Sequence, residues 1–334
     1  MTRARLADRP LVAVVLAGGT GTRLYPATRA DRPKPFLTLG DDRSLLARTV
    51  ERAAFADATV VSTRVAYAGG VPEHAPDAEV LVEPRPKDTG PALAYAAHVL
   101  RERYDDPVLA CLPSDHRVVG DLEGPVRRAA ALAVETGSLV AVGVEPDRPA
   151  TGYGYLVPGE PLPHGGVALD RFVEKPGPTR AAELVAAGAL WNAGMFVWTP
   201  EALLREARDS PLAPLVEALE AGDPDAGFAA VEPVSVDRAI MERTDRAAAV
   251  RADFAWDDLG TWDAVGRAVE GPLAERLELD AAGNVLASDG AHVTVVGASD
   301  LVVAAYGDRV LVVPTDRAED VREAVARLRE DGLF

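Results

Sequence analysis

The chain has 334 residues, of which 48% are hydrophobic and 26% are charged, so it can bury a sizeable core and is not intrinsically disordered. At about 150 residues per domain, this length allows two domains, or one large domain with an appendix. Its 35 basic and 52 acidic residues give a net charge of -17, which argues against a broad nucleic-acid-binding surface, since phosphate backbones need basic partners. The single cysteine, Cys111, excludes a disulfide scaffold and a multi-cysteine metal site.

The sequence contains no candidate membrane segment, because no apolar run approaches about 18 residues. Residues 1–10 (MTRARLADRP) have no apolar core of the kind found in secretion signals. We therefore expect a cytoplasmic protein that has neither a membrane nor a nucleic acid among its partners.

Strands and helices alternate through the first half of the chain. The apolar run at 11–17 (LVAVVLA) is typical of a buried parallel strand that enters a glycine-rich loop. Ser44 and Thr89 stand before helical spacing and are expected as N-caps. The pattern predicts strands over 11–17, 59–62, 80–83, 107–112 and 139–144 and helices over 44–54, 89–102 and 122–134. This alternation predicts a doubly wound α/β sheet.

Beyond residue 150 the pattern is more mixed. It predicts strands over 153–157, 167–174, 193–198 and 248–254 and helices over 179–187, 200–208, 212–221 and 235–242. Four short strands over 284–288, 292–297, 301–305 and 309–313 precede a terminal helix over 318–330. Short strands at close spacing are typical of a small β-rich domain. We therefore expect one domain over 1–270 and a β-rich domain over 271–334, for which a β-helix is one candidate architecture.

The glycine-rich segment at 16–26 (LAGGTGTRLYP) is a candidate phosphate-binding loop, because glycines let backbone amides approach a phosphate closely. Its spacing is neither the GxGxxG of dinucleotide-binding folds nor a Walker A motif. An ordinary tight turn is the simpler interpretation of three glycines alone. Arg23 and Lys34 add two cations nearby, and Pro33 and Pro35 stiffen the segment around Lys34. Together these features predict a cradle for a triphosphate.

Asp115 follows a predicted buried strand, at the carboxyl edge where α/β sheets bind ligands. A carboxylate there is a natural Mg2+ ligand, since Mg2+ is usually held by one or two carboxylates and substrate phosphates. A simple strand-end turn is the alternative interpretation.

Several motifs together resemble the sugar-1-phosphate nucleotidylyltransferases, and within them the mannose-1-phosphate guanylyltransferase branch. The glycine loop followed by RPKPFL (32–37) resembles the family signature. The other matching segments, in the family's order, are EPRPKDTGPA (83–92), LPSDH (112–116), FVEKP (172–176), WNAGMF (191–196), SVDRAIME (235–242) and WDDLGTW (256–262). They cover most of residues 11–265, and their order makes the resemblance specific.

The resemblance implies a Rossmann-like, doubly wound mixed sheet of the nucleotide-diphospho-sugar transferase type. It also implies a reaction. GTP and α-D-mannose 1-phosphate would give GDP-mannose and pyrophosphate, by Mg2+-assisted in-line attack of the sugar phosphate on the α-phosphorus. By analogy with relatives, a homodimer through the β-rich tail is a further hypothesis. We expect no isomerase activity, because the chain ends without the C-terminal isomerase domain that some relatives carry.

The same resemblance assigns site residues. Catalytic roles fall to Arg23, Lys34, Asp115 and Lys175. Nucleotide contacts fall to Leu16, Ala17, Gly18, Gly19, Thr20, Gly21, Thr22, Arg23, Lys34, Glu83, Lys87, Thr89, Gly90, Pro113, Ser114 and Asp115. Sugar-phosphate contacts fall to Gly154, Tyr155, Glu174, Lys175, Asn192 and Gly194, with Gly154 leaving room for the sugar. Metal ligation falls to Asp115 and Asp258, and Asp257 is expected to be exposed or to lie behind Asp258.

Some of these residues also have simpler interpretations. Lys175 beside Glu174 would be a weak surface ion pair. Glu83 could accept the N1–H and N2–H2 donors of guanine, or could be an ordinary strand-end charge. Lys87 would contact the base or ribose, or be solvated. Cys111 is expected to be an inert core residue, and His116 to pack beside Asp115 rather than act as a base.

Three positions depart from the family pattern. Asp88 replaces the usual Asn, Gly90 replaces Ala, and Pro35 stands where Gln is common. These departures affect the expected base contacts rather than the reaction.

Two other functions remain as alternatives. The same chemistry with UTP or dTTP and glucose 1-phosphate is one. The other is an inactive, sugar-nucleotide-sensing regulatory subunit, which would be expected to lack the metal aspartates or the two loop cations; all are present.

Overall fold

The computed structural model describes residues 9–334. Its contacts divide the chain into two compact units. Of the described residues, unit 1 comprises 9–18, 49–113 and 118–256, and unit 2 comprises 19–48, 114–117 and 257–334. The glycine loop and the C-terminal residues therefore belong to one unit although they are far apart in sequence.

The strands are β1 (Leu11–Leu16), β2 (Ala58–Arg64), β3 (Glu79–Glu83), β4 (Val108–Pro113), β5 (Arg117–Val119), β6 (Leu139–Val144), β7 (Gly154–Pro161), β8 (Gly166–Glu174), β9 (Leu190–Trp198), β10 (Ala247–Ala252), β11 (Ala255–Asp257), β12 (Arg276–Leu279), β13 (Val285–Ser288), β14 (Val293–Val296), β15 (Leu301–Tyr306) and β16 (Arg309–Pro314). The α-helices are α1 (Leu45–Arg52), α2 (Val65–Ala68), α3 (Val71–His74), α4 (Thr89–Arg103), α5 (Glu123–Thr136), α6 (Pro178–Ala186), α7 (Pro200–Arg208), α8 (Ala213–Glu220), α9 (Pro224–Ala230), α10 (Trp262–Ala268) and α11 (Val321–Glu330).

Unit 1 is built on a nine-stranded mixed sheet with the order β3-β2-β1-β4-β9-β6-β10-β8-β7. Strands β1 to β4 are parallel to one another, whereas β9 runs antiparallel to both β4 and β6. Successive residues of β1 face opposite sides: Val12 and Val14 belong to one apolar cluster, and Leu11 and Ala13 to the other. The sheet is therefore covered on both faces, as an α/β fold requires.

Unit 2 contains a parallel pair, β12 and β14, and a three-stranded sheet in the order β13-β15-β16. Its apolar cluster joins residues from both ends of the chain. Leu24 and Leu37 pack with Trp262, Val302 and Tyr306. The loop region thus gains its core from residues that follow position 257.

Most predicted elements are confirmed, with boundaries within a few residues, and so is the α/β class. The predictions missed the strands β5, β11 and β12 and the helices α2, α3, α9 and α10. Two residues predicted as N-caps behave differently. Ser44 Oγ accepts from Ala47 N at 3.1 Å, as expected, but Asp88 rather than Thr89 caps α4.

The division into domains at 270/271 stays a prediction. Among the described residues, no helix has the length and apolarity needed to cross a bilayer.

Candidate active site

The glycine loop and the Lys34 segment pack tightly against each other in unit 2. The Lys34 amide donates to the Thr20 carbonyl at 3.1 Å. Gly21 has φ of +71°, and a Cβ there would lie 2.4 Å from Lys34 Cβ. Only glycine fits this position, because any side chain would both strain the backbone and displace the lysine.

Lys34 contacts two other predicted site residues, Asp115 and Asp258. Its side chain is only 6% exposed, and its Nζ lies 2.8 Å from Asp115 Oδ2. The same ammonium donates to the Asp258 carbonyl at 2.6 Å. A buried ammonium needs such partners. Lys34 therefore fixes the strand-end turn at Asp115 against the turn at Asp258.

The pKa of Asp115 lies below its usual range. Burial would raise it, but the charges of Lys34 and His116 and the hydrogen bond from Lys34 outweigh burial. Because the pKa is lowered, the ionised form stabilises the fold at neutral pH, and this stabilisation is lost only as the pH falls into the acidic range. Asp115 is thus a carboxylate at neutral pH, as a metal ligand must be.

The two aspartates of WDDLG have different surroundings. Asp257 is buried, with 8% exposure, and its Oδ1 accepts from Leu259 N at 2.8 Å. Asp258 is less buried, and its Oδ1 accepts from Gly260 N at 2.9 Å. The alternative of an exposed Asp257 is therefore wrong. Leu259, which follows the pair, has φ of +47°, and such backbone strain tends to occur at functional sites.

The donor set of unit 2 suits a divalent ion of the magnesium type. Asp115 and Asp258 offer hard carboxylate oxygens, and Lys34 ties both turns together. Within residues 9–334, no group of three or more His, Cys, Asp or Glu could hold a metal ion. An ion held here would therefore need further ligands from substrate phosphates, which is how Mg2+ is commonly bound.

Arg23 is paired with Glu319, a residue for which the sequence analysis predicted no role. Its Nη1 donates to both carboxylate oxygens of Glu319, at 2.8 and 3.0 Å. Unit 2 thus assembles Arg23, Lys34, Asp115 and Asp258, whereas Lys175 belongs to unit 1. No local signal pointed to Glu319, since it lies 296 positions along the chain from Arg23.

In unit 1, Glu83 ends β3 as a buried carboxyl with 6% exposure. Burial raises the pKa of Glu83 to about 7, although Arg64 acts in the opposite direction. A Cβ on Gly18 would lie 2.9 Å from Glu83 Oε1, so the glycine allows the carboxyl to approach the backbone. An ordinary strand-end charge would be solvated. Glu83 is instead a desolvated acceptor beside the first glycine of the loop.

The residues after Glu83 are held mainly by protein partners. Lys87 Nζ donates to Val231 O at 2.8 Å, so the solvated alternative does not describe it. Thr89 Oγ1 accepts from Val236 N at 3.0 Å, and Gly90 N donates to Val234 O at 3.0 Å. The Gly90 amide is thus already used, which removes it as a nucleotide donor in this structure.

A second cluster in unit 1 surrounds the end of β8. Lys175 Nζ pairs with Glu174 Oε1 at 2.8 Å, and Lys175 has φ of +47°. The lysine is 57% exposed, whereas Glu174 is 11% exposed. A Cβ on Gly154 would lie 2.7 Å from Glu174 Oε2. The space expected for a sugar beside Gly154 is therefore occupied by the Glu174 carboxylate.

Asn192 is oriented by two neighbours. Its Oδ1 accepts from Gly194 N at 3.1 Å, and its Nδ2 donates to Asp237 Oδ1 at 3.0 Å. Asp237 begins a π-helix turn, Asp237–Met241, and burial followed by the Glu174 charge raises its pKa to about 6. Asp237 received no role in the sequence analysis, although it lies in SVDRAIME. The π-helix that could have singled it out is not visible in sequence.

The remaining predicted residues include one whose side chain belongs to the core and several at strand ends. Tyr155 is a correction: it is fully buried and its hydroxyl donates to Ala150 O at 2.8 Å, so the side chain cannot reach a ligand. Leu16 and Pro113 end β1 and β4, Ala17, Gly19 and Ser114 lie in the loops that follow these strands, and Thr22 begins the 3-10 helix Thr22–Leu24. Cys111 is buried, which raises the pKa of its thiol well above the usual range.

Comparison of the sequence with known proteins identifies the family to which the chain belongs. A nucleotidyl transferase family model matches residues 12–273, and a model of the mannose-phosphate isomerase/GMP-like β-helix domain matches 274–328. A mannose-1-phosphate guanylyltransferase of Sinorhizobium fredii (strain NBRC 101917 / NGR234) is 34% identical over 96% of this chain and 68% of its own length. The chain belongs to the mannose-1-phosphate guanylyltransferase family.

Two further relatives in this family extend the match. The mannose-1-phosphate guanylyltransferase ManC of Salmonella typhimurium is 32% identical over 96% of this chain and 74% of its own length. A solved structure from Thermus thermophilus, described as a mannose-1-phosphate geranyltransferase, has a TM-score of 0.86 and 35% identity. It covers 96% of this chain and 99% of that one, so the fold is shared over nearly the whole length.

The tight packing at Gly21 gives a first prediction. Gly21→Ala should lower nucleotidyl transfer about 100-fold, because the new methyl group would displace Lys34 and with it the Asp115 contact. The control is Gly137→Ala, at a residue that also has positive φ but has open space around it, so it tests backbone strain alone. Steady-state turnover of both folded variants is the measurement. Equal, small losses in both would show that contact with Lys34 does not matter.

Proposed function

We propose that the chain transfers GMP from GTP to α-D-mannose 1-phosphate, forming GDP-mannose and pyrophosphate. The observation that carries this proposal is the buried Lys34 that joins the glycine loop, Asp115 and the Asp258 turn. Such a cluster provides a cation and two carboxylates beside a loop rich in backbone amides. Membership of the guanylyltransferase family supports the choice of nucleotide and sugar.

Catalysis by this arrangement is mainly positioning and charge neutralisation. The sugar phosphate is already an anionic nucleophile, so no general base is required. Arg23 and Lys34 would bind the triphosphate and the pyrophosphate that leaves, with amides of the glycine loop as further donors. His116 has a supporting part, because its charge contributes to the lowered pKa of Asp115.

The family uses a divalent metal, and we propose Mg2+. Asp115 and Asp258 would hold it, and when bound it would neutralise negative charge on the phosphates of both substrates. The protein's own contribution is to keep Asp115 ionised through Lys34, so that binding the cation releases no proton from this residue.

The sugar phosphate would be bound by the cluster at the end of β8. Lys175 is an exposed point charge suited to the 1-phosphate, and Glu174 is a buried acceptor for sugar hydroxyls. Asn192 and the Gly194 backbone would bind other hydroxyls. Asp237 fixes the Asn192 amide, so that its orientation is set before the sugar arrives.

Guanine would be recognised by Glu83. A carboxylate can accept both N1–H and N2–H2 of guanine, whereas adenine presents an acceptor at N1.

The cytoplasmic location, the homodimer and the domain boundary stay predictions.

The direct test is pyrophosphate release with GTP, ATP, UTP or dTTP against mannose 1-phosphate and glucose 1-phosphate, with and without Mg2+. We expect release to be fastest with GTP and mannose 1-phosphate and to depend on the metal. A preference for UTP or dTTP with glucose 1-phosphate would favour the alternative pair. Absence of turnover with every pair would favour the regulatory subunit.

The Lys34 cluster gives a second prediction. Lys34→Ala and Asp115→Asn should each lower turnover at least ~100-fold, because losing a preorganised charge contact costs about 2.7–4 kcal/mol of barrier. Arg103→Ala is the control, since Arg103 forms only an exposed pair with Glu79. Circular dichroism should verify that the variants are folded. Near-normal turnover in both site variants would refute their assigned roles.

Glu83 gives a prediction about pH. Its carboxyl has a pKa of about 7, so the ionised acceptor forms as the pH rises through neutrality. Affinity for GTP should therefore increase between about pH 6 and about pH 8, over the titration range of this group. Calorimetric titrations of wild type and Glu83→Gln would measure it, with ATP as the control for titration of the phosphates themselves.

Only the part of the pH dependence that is specific to GTP and lost in Glu83→Gln belongs to the carboxyl. The variant should also bind GTP and ATP more equally. An unchanged preference for GTP in Glu83→Gln would show that guanine is recognised elsewhere.

A further inference from the structure

The C-terminal region supplies a carboxylate that holds one side of the Arg23 guanidinium. Nη1 of Arg23 donates to Glu319 Oε1 at 2.8 Å and to Oε2 at 3.0 Å. Glu319 lies in the 3-10 helix Thr315–Asp320, directly before α11. Both residues belong to unit 2, so this contact lies within one compact unit.

The other side of the guanidinium faces the Asp258 turn. A Cβ on Gly260 would lie 3.0 Å from Arg23 Nη2 and 2.7 Å from Asp258 Oδ2, so both atoms border the same small space. The planar guanidinium has fixed donor directions, and holding one arm therefore sets the direction of the other. With Nη1 on Glu319, Nη2 is held beside the space that Asp258 Oδ2 also borders.

The segment that carries Glu319 is itself packed in place. Val321 and Val325 of α11 are buried against Tyr25, two residues after Arg23. The Tyr25 carbonyl also accepts from Trp262 Nε1 at 2.9 Å. Glu319 is therefore presented to Arg23 by an anchored helix rather than by a free chain end.

We propose that Glu319 is a positioning residue for nucleotidyl transfer, which holds Arg23 so that its remaining donors meet the triphosphate of GTP. The inference rests on the proposed function, in which Arg23 binds that triphosphate. Glu319 is 64% exposed, and exposed ion pairs add little to stability. The proposed effect of Glu319 is instead to fix the direction of the Arg23 donors. A side chain that is already ordered loses less conformational entropy when the ligand binds.

The test is Glu319→Gln, which keeps the size of the side chain and removes its charge. We expect kcat/KM for GTP to fall about fivefold, the upper range for a pair of this exposure. KM for mannose 1-phosphate and the melting temperature should not change. Glu323→Gln is the matched control, because Glu323 forms a similarly exposed pair with Arg327 on the adjoining helix and should leave all these values unchanged.

A double-mutant cycle separates positioning from a general structural effect. In an Arg23→Lys background, Glu319→Gln should change kcat/KM for GTP by less than about twofold, because lysine has no planar fork to orient. The same loss in both backgrounds would overturn the proposal. So would an unchanged value or a rise in Glu319→Gln alone; a rise would mean that the carboxylate competes with the triphosphate.

The outcomes also separate this inference from the function on which it rests. A wild-type chain without pyrophosphate release would remove the proposed function and the role of Glu319 with it. An active wild type, an impaired Arg23→Lys and an unaffected Glu319→Gln would leave the function standing and reject Glu319 alone.

Discussion

The contact between the Lys34 ammonium and the Asp115 carboxylate, at 2.8 Å, is the constraint on which the phosphate side of the site depends. It keeps the carboxylate ionised in a partly buried place where desolvation alone would favour its neutral form. It also sets the loop, because Lys34 can reach Asp115 only while Gly21 has no side chain. One buried cation thus links the conformation of the glycine loop, the charge state of Asp115 and the position of the Asp258 turn.

Unit 1 has a different proposed task, which is to bind the hydroxyls of the sugar and the edge of the base. Its candidate site includes the buried Glu83 and the partly buried Asp237. Glu83 and Asp237 both have raised pKa values, of about 7 and about 6, because burial disfavours their charged forms. Desolvated carboxyls bind hydrogen-bond donors strongly, since water does not compete for them. The acidic residues of this chain therefore include buried carboxyls as well as those of a solvated surface.

Sequence reasoning was sufficient for the α/β class, most strands and the identity of the motifs, since periodicity and motif order are local signals. It also placed Lys34, Asp115 and Asp258 in one predicted site, Asp115 from its strand-end position, Lys34 from its place near the glycine loop and Asp258 from the family resemblance, and the structure brings these three residues together. It missed Glu319 and Asp237, whose partners lie 296 and 45 positions away. It assigned Tyr155 to the ligand although the side chain is core. Pairings between distant segments and the burial of an aromatic ring depend on tertiary packing, which no local pattern reports.

The composition of unit 2 has a consequence for how the protein is made. Residues 19–48, which include the glycine loop, belong to the same compact unit as 257–334. While the chain is being synthesised, the glycine loop leaves the ribosome before Trp262, Val302 and Tyr306. These three residues complete the apolar cluster around Leu24. Contacts of such long sequence separation cost more loop-closure entropy than local contacts do. The glycine loop can therefore complete its packing only after these C-terminal residues have been synthesised, and a chain that stops before them lacks the cluster that supports the loop.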